Sequence, residues 1–195
     1  DKPYELNISW WSAMEDSSRD SNRFQFERFI LSQLLVMALK GVPAFYLPAL
    51  LASENDIKSF SMTGQRRDLN REKFKLDNLL SILNNPESNA NKNLKYLCNA
   101  MDVRSQSKQF HPCSEMRCLS KGRSDIVVIK RGKGQDSVFA IHNMTENKIN
   151  YQLNDNDLPE IIDNDFNMRD FLTSTKYNWK NISLDPFQVI WLGAL

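Results

Sequence analysis

Residues 41–74, GVPAFYLPALLASENDIKSFSMTGQRRDLNREKF, decide how the rest of the chain is read. The stretch starts as a short apolar run, Val42, Ala44, Phe45, Tyr46 and Leu47, entered through Gly41 and Pro43. Such a run predicts a buried strand. It then turns polar, with Asn55, Asp56, Arg66, Arg67, Asp68, Asn70 and Arg71 in one long segment. A buried parallel strand that empties into a polar loop is how α/β barrels present their chemistry, at the carboxyl ends of the strands. Loops longer than about 12–15 residues are usually functional or disordered. This one keeps apolar anchors at Leu50, Leu51, Ile57, Phe60 and Leu69, which favours function.

Upstream, residues 4–9 (YELNIS) alternate loosely and predict a short strand, with Trp10, Trp11, Ala13 and Met14 turning into a helix. Over residues 23–40 the apolar positions Phe26, Phe29, Ile30, Leu34, Met37 and Ala38 recur at three- and four-residue spacing. Leu31, Leu35 and Leu39 widen that stripe, so a largely buried helix is expected. Lys40 suits its negative end and Gly41 its stop. Strand, helix and strand with short joints predict a βαβ unit with parallel strands.

Downstream, residues 75–83 predict a short helix cut at Asn84-Asn85-Pro86, and residues 87–108 a second one ended by His111-Pro112. From Cys113 the period becomes two. Residues 126–129, 138–142, 149–153, 182–184 and 188–192 predict short strands separated by turn signals, an all-β sandwich-like module. The expected division is residues 1–111 and 112–195.

Composition narrows the function classes. A chain of 195 residues with 41% hydrophobic and 25% charged residues is ordinary globular material. A net charge of +1 gives no reason to expect nucleic acid or an anionic membrane as partner. The basic cluster Arg66, Arg67, Arg71, Lys73 and Lys75 is diluted by Asp68 and Glu72 and reads first as a solvated face. The sharper reading turns one arginine into a pocket, where its planar fork holds a carboxylate, hydroxyls or phosphate bidentately. The apolar residues 24–39 are interrupted by polar ones, so no membrane span is expected. No signal peptide opens the chain, and the cytoplasm is the default compartment. The triplets at Asn7, Asn143 and Asn181 are chance matches in an Asn-rich chain. Cys98, Cys113 and Cys118 are an odd set with no CxxC pair, and His111 and His142 are far apart, so neither a metal nor a cofactor is expected. The strand-like opening without an initial Met suggests sequence further upstream.

Several motifs then fall in one order. YELNISWWSAM, GVPAFYLPALLASENDI, RRDLNREKF, the junction Phe110-His111-Pro112, and finally VFAIHNMT, RDFLT and LDPFQVIWL run through nearly the whole length. Together they resemble the C-terminal part of sucrose phosphorylase and its close relatives in the α-amylase superfamily of retaining glycosidases and transglucosidases. The resemblance implies the last two β/α units of a (β/α)8 TIM barrel followed by an antiparallel β-sandwich. It also implies transfer of a glucosyl group to inorganic phosphate, with no cofactor, no metal and a small sugar as the other substrate.

In that family the nucleophile, the acid/base and a third acidic group lie before Tyr4, so no catalytic residue is expected in this chain and alone it should be inactive. Arg67 matches the family arginine that holds the glucosyl unit. Tyr4 matches an aromatic of the loop that serves acceptor and phosphate. Glu5 and Lys2 stand where the best-known sucrose phosphorylases carry Gln and Asp, a change of charge that leaves the acceptor open. Open sheet edges in a partial barrel imply aggregation or a homodimer. The rival readings are a non-catalytic carbohydrate-binding or interaction module, and a different hydrolase or transglucosidase of the superfamily.

Overall fold

The structure, a computed structural model, describes residues 5–16, 23–120, 122–154, 156, 158 and 167–194. The chain divides into two compact units, Asp1–Phe29 with Ala44–Cys98, and Ile30–Pro43 with Asn99–Leu195. The boundary expected near His111 therefore falls inside the second unit.

The first unit is helical. It contains α1 (Trp10–Ala13), the start of α2 (Gln25–Ala38), α3 (Leu47–Leu50), α4 (Ile57–Thr63), a 3-10 turn (Arg66–Asn70), α5 (Leu76–Asn84) and the first part of α6 (Asn89–Gln106). Ser9 caps α1, accepting a hydrogen bond from the Ser12 amide at 3.1 Å, and Arg28 closes its other end by donating to the Met14 carbonyl. Trp11 is buried and packs edge-on against Phe26 and Phe29, with ring centroids 6.3 and 5.3 Å away. Ala49 and Ala52 complete this small core. Asn93, fully buried, donates through Nδ2 to the carbonyls of Ala49 and Leu50 at the end of α3.

Two expected strands do not form. Residues 42–46 form no strand, and α3 begins at Leu47; described residues 5–9 are likewise without a partner strand. The βαβ unit is thus not assembled among the described residues. An extended segment becomes a strand only when a neighbour satisfies its amides and carbonyls, and none is described here for these two. Apolar side chains stay in water accordingly: Leu6, Tyr46, Leu47, Ile57, Met62, Leu76 and Leu80 are all exposed. The segment after the expected strand is also no bare loop, since it holds α3, α4 and the 3-10 turn.

The second unit is a two-layer sandwich. Strands β1 (Met116–Cys118), β2 (Ile126–Arg131), β3 (Val138–Asn143), β4 (Ile149–Tyr151), β5 (Asn167–Asp170), β6 (Lys176–Asn178), β7 (Ile182–Leu184) and β8 (Val189–Gly193) follow in order. Six form one antiparallel sheet in the order β1-β2-β3-β8-β5-β6, and β4 pairs with β7. Alternate residues Ile126, Val128, Phe139, Ile141, Ile190 and Leu192 meet Ile182 and Leu184 of the small sheet in one core. On the other face Trp191 lies 4.5 Å, ring to ring, from Phe110. The five strands expected from the period-two pattern are all present within a residue or two, whereas β1, β5 and β6 lack the pattern and were not foreseen.

Two motif residues are structural. Asp170 accepts from the Trp191 amide (2.8 Å), the Leu172 amide (3.2 Å) and the Thr173 hydroxyl (2.6 Å), which locks the turn after β5 onto β8. Asn143 donates to the carbonyls of Asn147 and Asp185 and accepts from Thr145. Its burial excludes a glycan in the folded protein. No helix among the described residues is long and apolar enough to cross a membrane.

Candidate functional site

The polar segment after α3 is built to hold Arg67 in place. Asp56 caps α4, accepting from the Ser59 amide at 2.9 Å, and hydrogen bonding from the Ser59 side chain, then from this amide, holds its carboxyl below the usual range. Gly64, with φ 67°, stops the helix in the left-handed conformation that glycine adopts without strain. The Asp56 amide then donates to the Leu69 carbonyl (2.7 Å), and the Thr63 hydroxyl donates to Asp68 Oδ2 (2.7 Å). These bonds fold the 3-10 turn carrying Arg67 back onto α4.

A second set of bonds fastens residues 5–14 to the same segment. Asn55 Oδ1 accepts from the Ser9 amide at 2.7 Å, and the Asn55 amide donates to Ser12 Oγ at 3.1 Å. Glu5 thereby comes within reach of the turn. Arg67 donates to it side-on, Nε to Oε1 at 2.9 Å and an Nη to Oε2 at 3.3 Å. Both side chains are about half exposed, 54% and 40%. At that exposure a pair contributes roughly 0–1 kcal/mol to stability, so its geometry matters more than its energy. The remaining N–H groups of Arg67 have no protein partner among the described residues.

Other polar features share these segments. Glu72 has its carboxyl raised, chiefly by burial, with Asp56 and Glu54 adding like charge. The side-chain oxygens of Asn7 and Asn70 are buried and have no hydrogen-bond partner among the described residues. An unsatisfied buried acceptor costs about 1–3 kcal/mol. None of Asn55, Glu72, Asn7 or Asn70 stands out in the sequence as a site residue, because Asn and Glu are common in polar loops. Position is the one signal for three of them: Asn70 and Asn7 lie within the R-R-D-L-N-R and Y-E-L-N stretches and Glu72 directly follows the first.

Of the expected site residues, Arg67 and Glu5 are brought together, while Tyr4 and Lys2 lie outside the described residues. Arg66, Arg71, Lys73 and Lys75 are exposed, a solvated face. No cluster of three or more metal-ligating side chains exists among the described residues, and Cys98, Cys113 and Cys118 are free thiols.

No family model matches the chain. Among solved structures it is similar to AmyP in complex with maltose, with a TM-score of 0.68 at 16% identity over 91% of this chain and 35% of that one. The fold is that of the C-terminal part of a (β/α)8 barrel protein followed by its antiparallel β-sandwich. In sequence the chain is 31% identical over 145 residues to a glucosylglycerate phosphorylase of Allomeiothermus silvanus, which covers 74% of this chain and 26% of the relative. It is 22% identical over 154 residues to a sucrose phosphorylase of Streptococcus mutans, covering 79% of this chain and 29% of that enzyme. In sequence the chain is thus similar to the sucrose-phosphorylase-like enzymes. It spans about a quarter of the length of these curated relatives.

Proposed function

We propose that this chain is the substrate-binding C-terminal segment of a retaining α-glucoside phosphorylase, and that the α-glucoside is glucosylglycerate. The sequence kinship with a glucosylglycerate phosphorylase carries this reading. In the reaction a carboxylate attacks the anomeric carbon as the leaving oxygen is protonated, giving a glucosyl-enzyme. Phosphate then attacks from the opposite face, and two inversions yield α-glucose 1-phosphate with retention. Both carboxylates would come from sequence before Tyr4. Residues 1–111 would complete the barrel and 112–195 form the β-sandwich domain.

Arg67 would hold the glucosyl unit, with Tyr4 and Glu5 on the acceptor side. The ion pair removes an electrostatic objection to an anionic acceptor. A lone Glu5 beside the acceptor site would repel glycerate, whereas Glu5 held by both donors of Arg67 carries a compensated charge. Cytoplasmic residence fits three exposed thiols that form no disulfide.

The test is made on the full polypeptide containing this chain, with phosphate and either glucosylglycerate or sucrose, reading glucose 1-phosphate. Turnover of glucosylglycerate is expected, and Arg67→Lys should lower kcat/KM about a hundredfold or more with the melting temperature unchanged. Preference for sucrose would overturn the assigned acceptor. Release of free glucose independent of phosphate would overturn the phosphorylase assignment itself.

A further inference from the structure

From a groove in the second unit we infer that the β-sandwich carries its own binding site for a neutral saccharide, independent of the Arg67 site. The groove encloses about 290 Å3 and is lined by Val103, Gln106, Ser107, Arg169, Phe171 and Ala194. That volume lies just under the roughly 300–1,000 Å3 of typical ligand sites, enough for about one sugar ring rather than a long polymer.

Each wall is fixed by a separate contact. The C-terminal half of α6 is tied to the turn after β5 by Asn99, whose Nδ2 donates to the Leu172 carbonyl at 3.3 Å. The Phe171 amide donates to the Trp191 carbonyl at 2.9 Å, which pins the backbone under the ring. The ring itself rests on Gly193 of β8. A Cβ at that glycine would lie 2.3 Å from Phe171 Cζ and 2.7 Å from Cε1, so only a residue without a side chain leaves the ring its bed. Beside it the Arg169 guanidinium is steadied by donating from an Nη to Ser174 Oγ at 2.7 Å. Its other N–H groups, and the Gln106 amide, have no protein partner among the described residues.

An immobilised aromatic face flanked by planar, unsaturated donors suits a ring with an apolar face and an edge of hydroxyls. The C–H face of the sugar stacks on Phe171, while Arg169 and Gln106 donate to its hydroxyls. An anion is the rival ligand for an arginine. Here Val103, Gln106 and Ser107 stand at the C-terminal end of α6, where the helix dipole presents partial negative charge. That field opposes an anion and leaves hydrogen bonding from Arg169 to a neutral hydroxyl intact.

The site is tested on the 195-residue chain by NMR titration with maltose as probe. The resonances of Gln106, Arg169, Phe171 and Ala194 should shift together. Phe171→Ala should weaken binding about three- to tenfold, the worth of one aromatic contact. Phe171→Leu, which keeps apolar bulk but removes the ring face, should do the same if the alanine variant fails to fold. Maltose shifts confined to other residues, undiminished binding by Phe171→Leu, or displacement of maltose by phosphate or glycerate would each overturn the inference. None of these readouts involves turnover, so they are unaffected by whether the phosphorylase assignment stands.

Discussion

Replacing Arg131 with Met should unfold the second unit at a distinctly lower temperature. Arg131 is fully buried and, among the fully buried side chains, second in volume only to Trp191. Its guanidinium donates to Ala38 O at 3.0 Å and Leu39 O at 2.7 Å from one Nη, and to His111 O at 2.9 Å from the other. Arg104 serves the same helix end, donating to Met37 O at 2.9 Å and Gly41 O at 2.8 Å. Two arginines from different elements thus satisfy the orphan carbonyls at the end of α2. Burial, with the neighbouring Arg104 adding, lowers the Arg131 pKa, yet a guanidinium stays protonated.

Met matches the length but leaves three carbonyls without a donor, at roughly 1–3 kcal/mol each. Removing the buried charge recovers several kcal/mol of desolvation. With about 2 kcal/mol for each carbonyl against about 3 kcal/mol of recovered desolvation, the balance is a loss of about 3 kcal/mol. For a unit of this size that corresponds to a fall in Tm of roughly 10–15 °C. The assay is thermal unfolding of the 195-residue chain, followed by circular dichroism. Arg131→Lys should fall between, since one ammonium cannot reach three diverging acceptors. A methionine variant as stable as the parent, or more so, would show that desolvation outweighs capping and would refute the reasoning.

Two more outcomes are expected in the same unit. His142 is wholly buried and its pKa is pushed down to about 4, mainly by desolvation. Its folded pKa lies below the unfolded value of about 6.5, so its contribution is complete above that pH and is lost as pH falls toward the folded value, up to roughly 3 kcal/mol. Asp170, raised by burial, acts in the opposite sense, favouring the fold below the unfolded value and losing that as pH rises through the folded one. Urea unfolding between pH 7 and 5 should therefore show a downward slope that His142→Phe flattens; an unchanged slope would assign it to other groups. Gly193→Ala should cost about 1–3 kcal/mol by forcing Phe171 aside, read as a lower denaturation midpoint, and a neutral result would mean the ring has room to move.

How much was legible follows from what kind of interaction sets each feature. The central strands β2, β3 and β8 announce themselves because alternate residues face one core and, in β3 and β8, because neither face sees water. β1, with all three residues exposed, and β6, with only Tyr177 partly covered, carry no such alternation. Helices α2, α5 and α6 were legible to within two residues from their apolar spacing, whereas α3 and α4 were not. Residues 42–46 have a strand's composition and no partner strand among the described residues, and pairing is a property of the neighbour rather than of the segment. The allotment of residues 30–43 to the second unit was equally hidden. It is visible in bonds from Arg104 and Arg131 to backbone carbonyls, and a carbonyl acceptor leaves no mark on the residue that bears it.

The Arg67–Glu5 pair sits between these extremes. Arg67 was legible through the R-R-D-L-N-R motif, but 62 residues separate it from Glu5 and no local pattern couples them. Residue types were not the obstacle, since a guanidinium fork and a carboxylate are the most predictable of partners. What the sequence withheld was the pair of ties through Asn55, from Ser9 and to Ser12, that bring the two segments together. Those ties are ordinary amide and hydroxyl bonds, individually worth about 0.5–1.5 kcal/mol, more than enough together to outweigh an exposed ion pair. The positioning of Glu5 is therefore set by Asn55 and the α1 cap, and Arg67 takes up the carboxylate that this scaffold delivers to it.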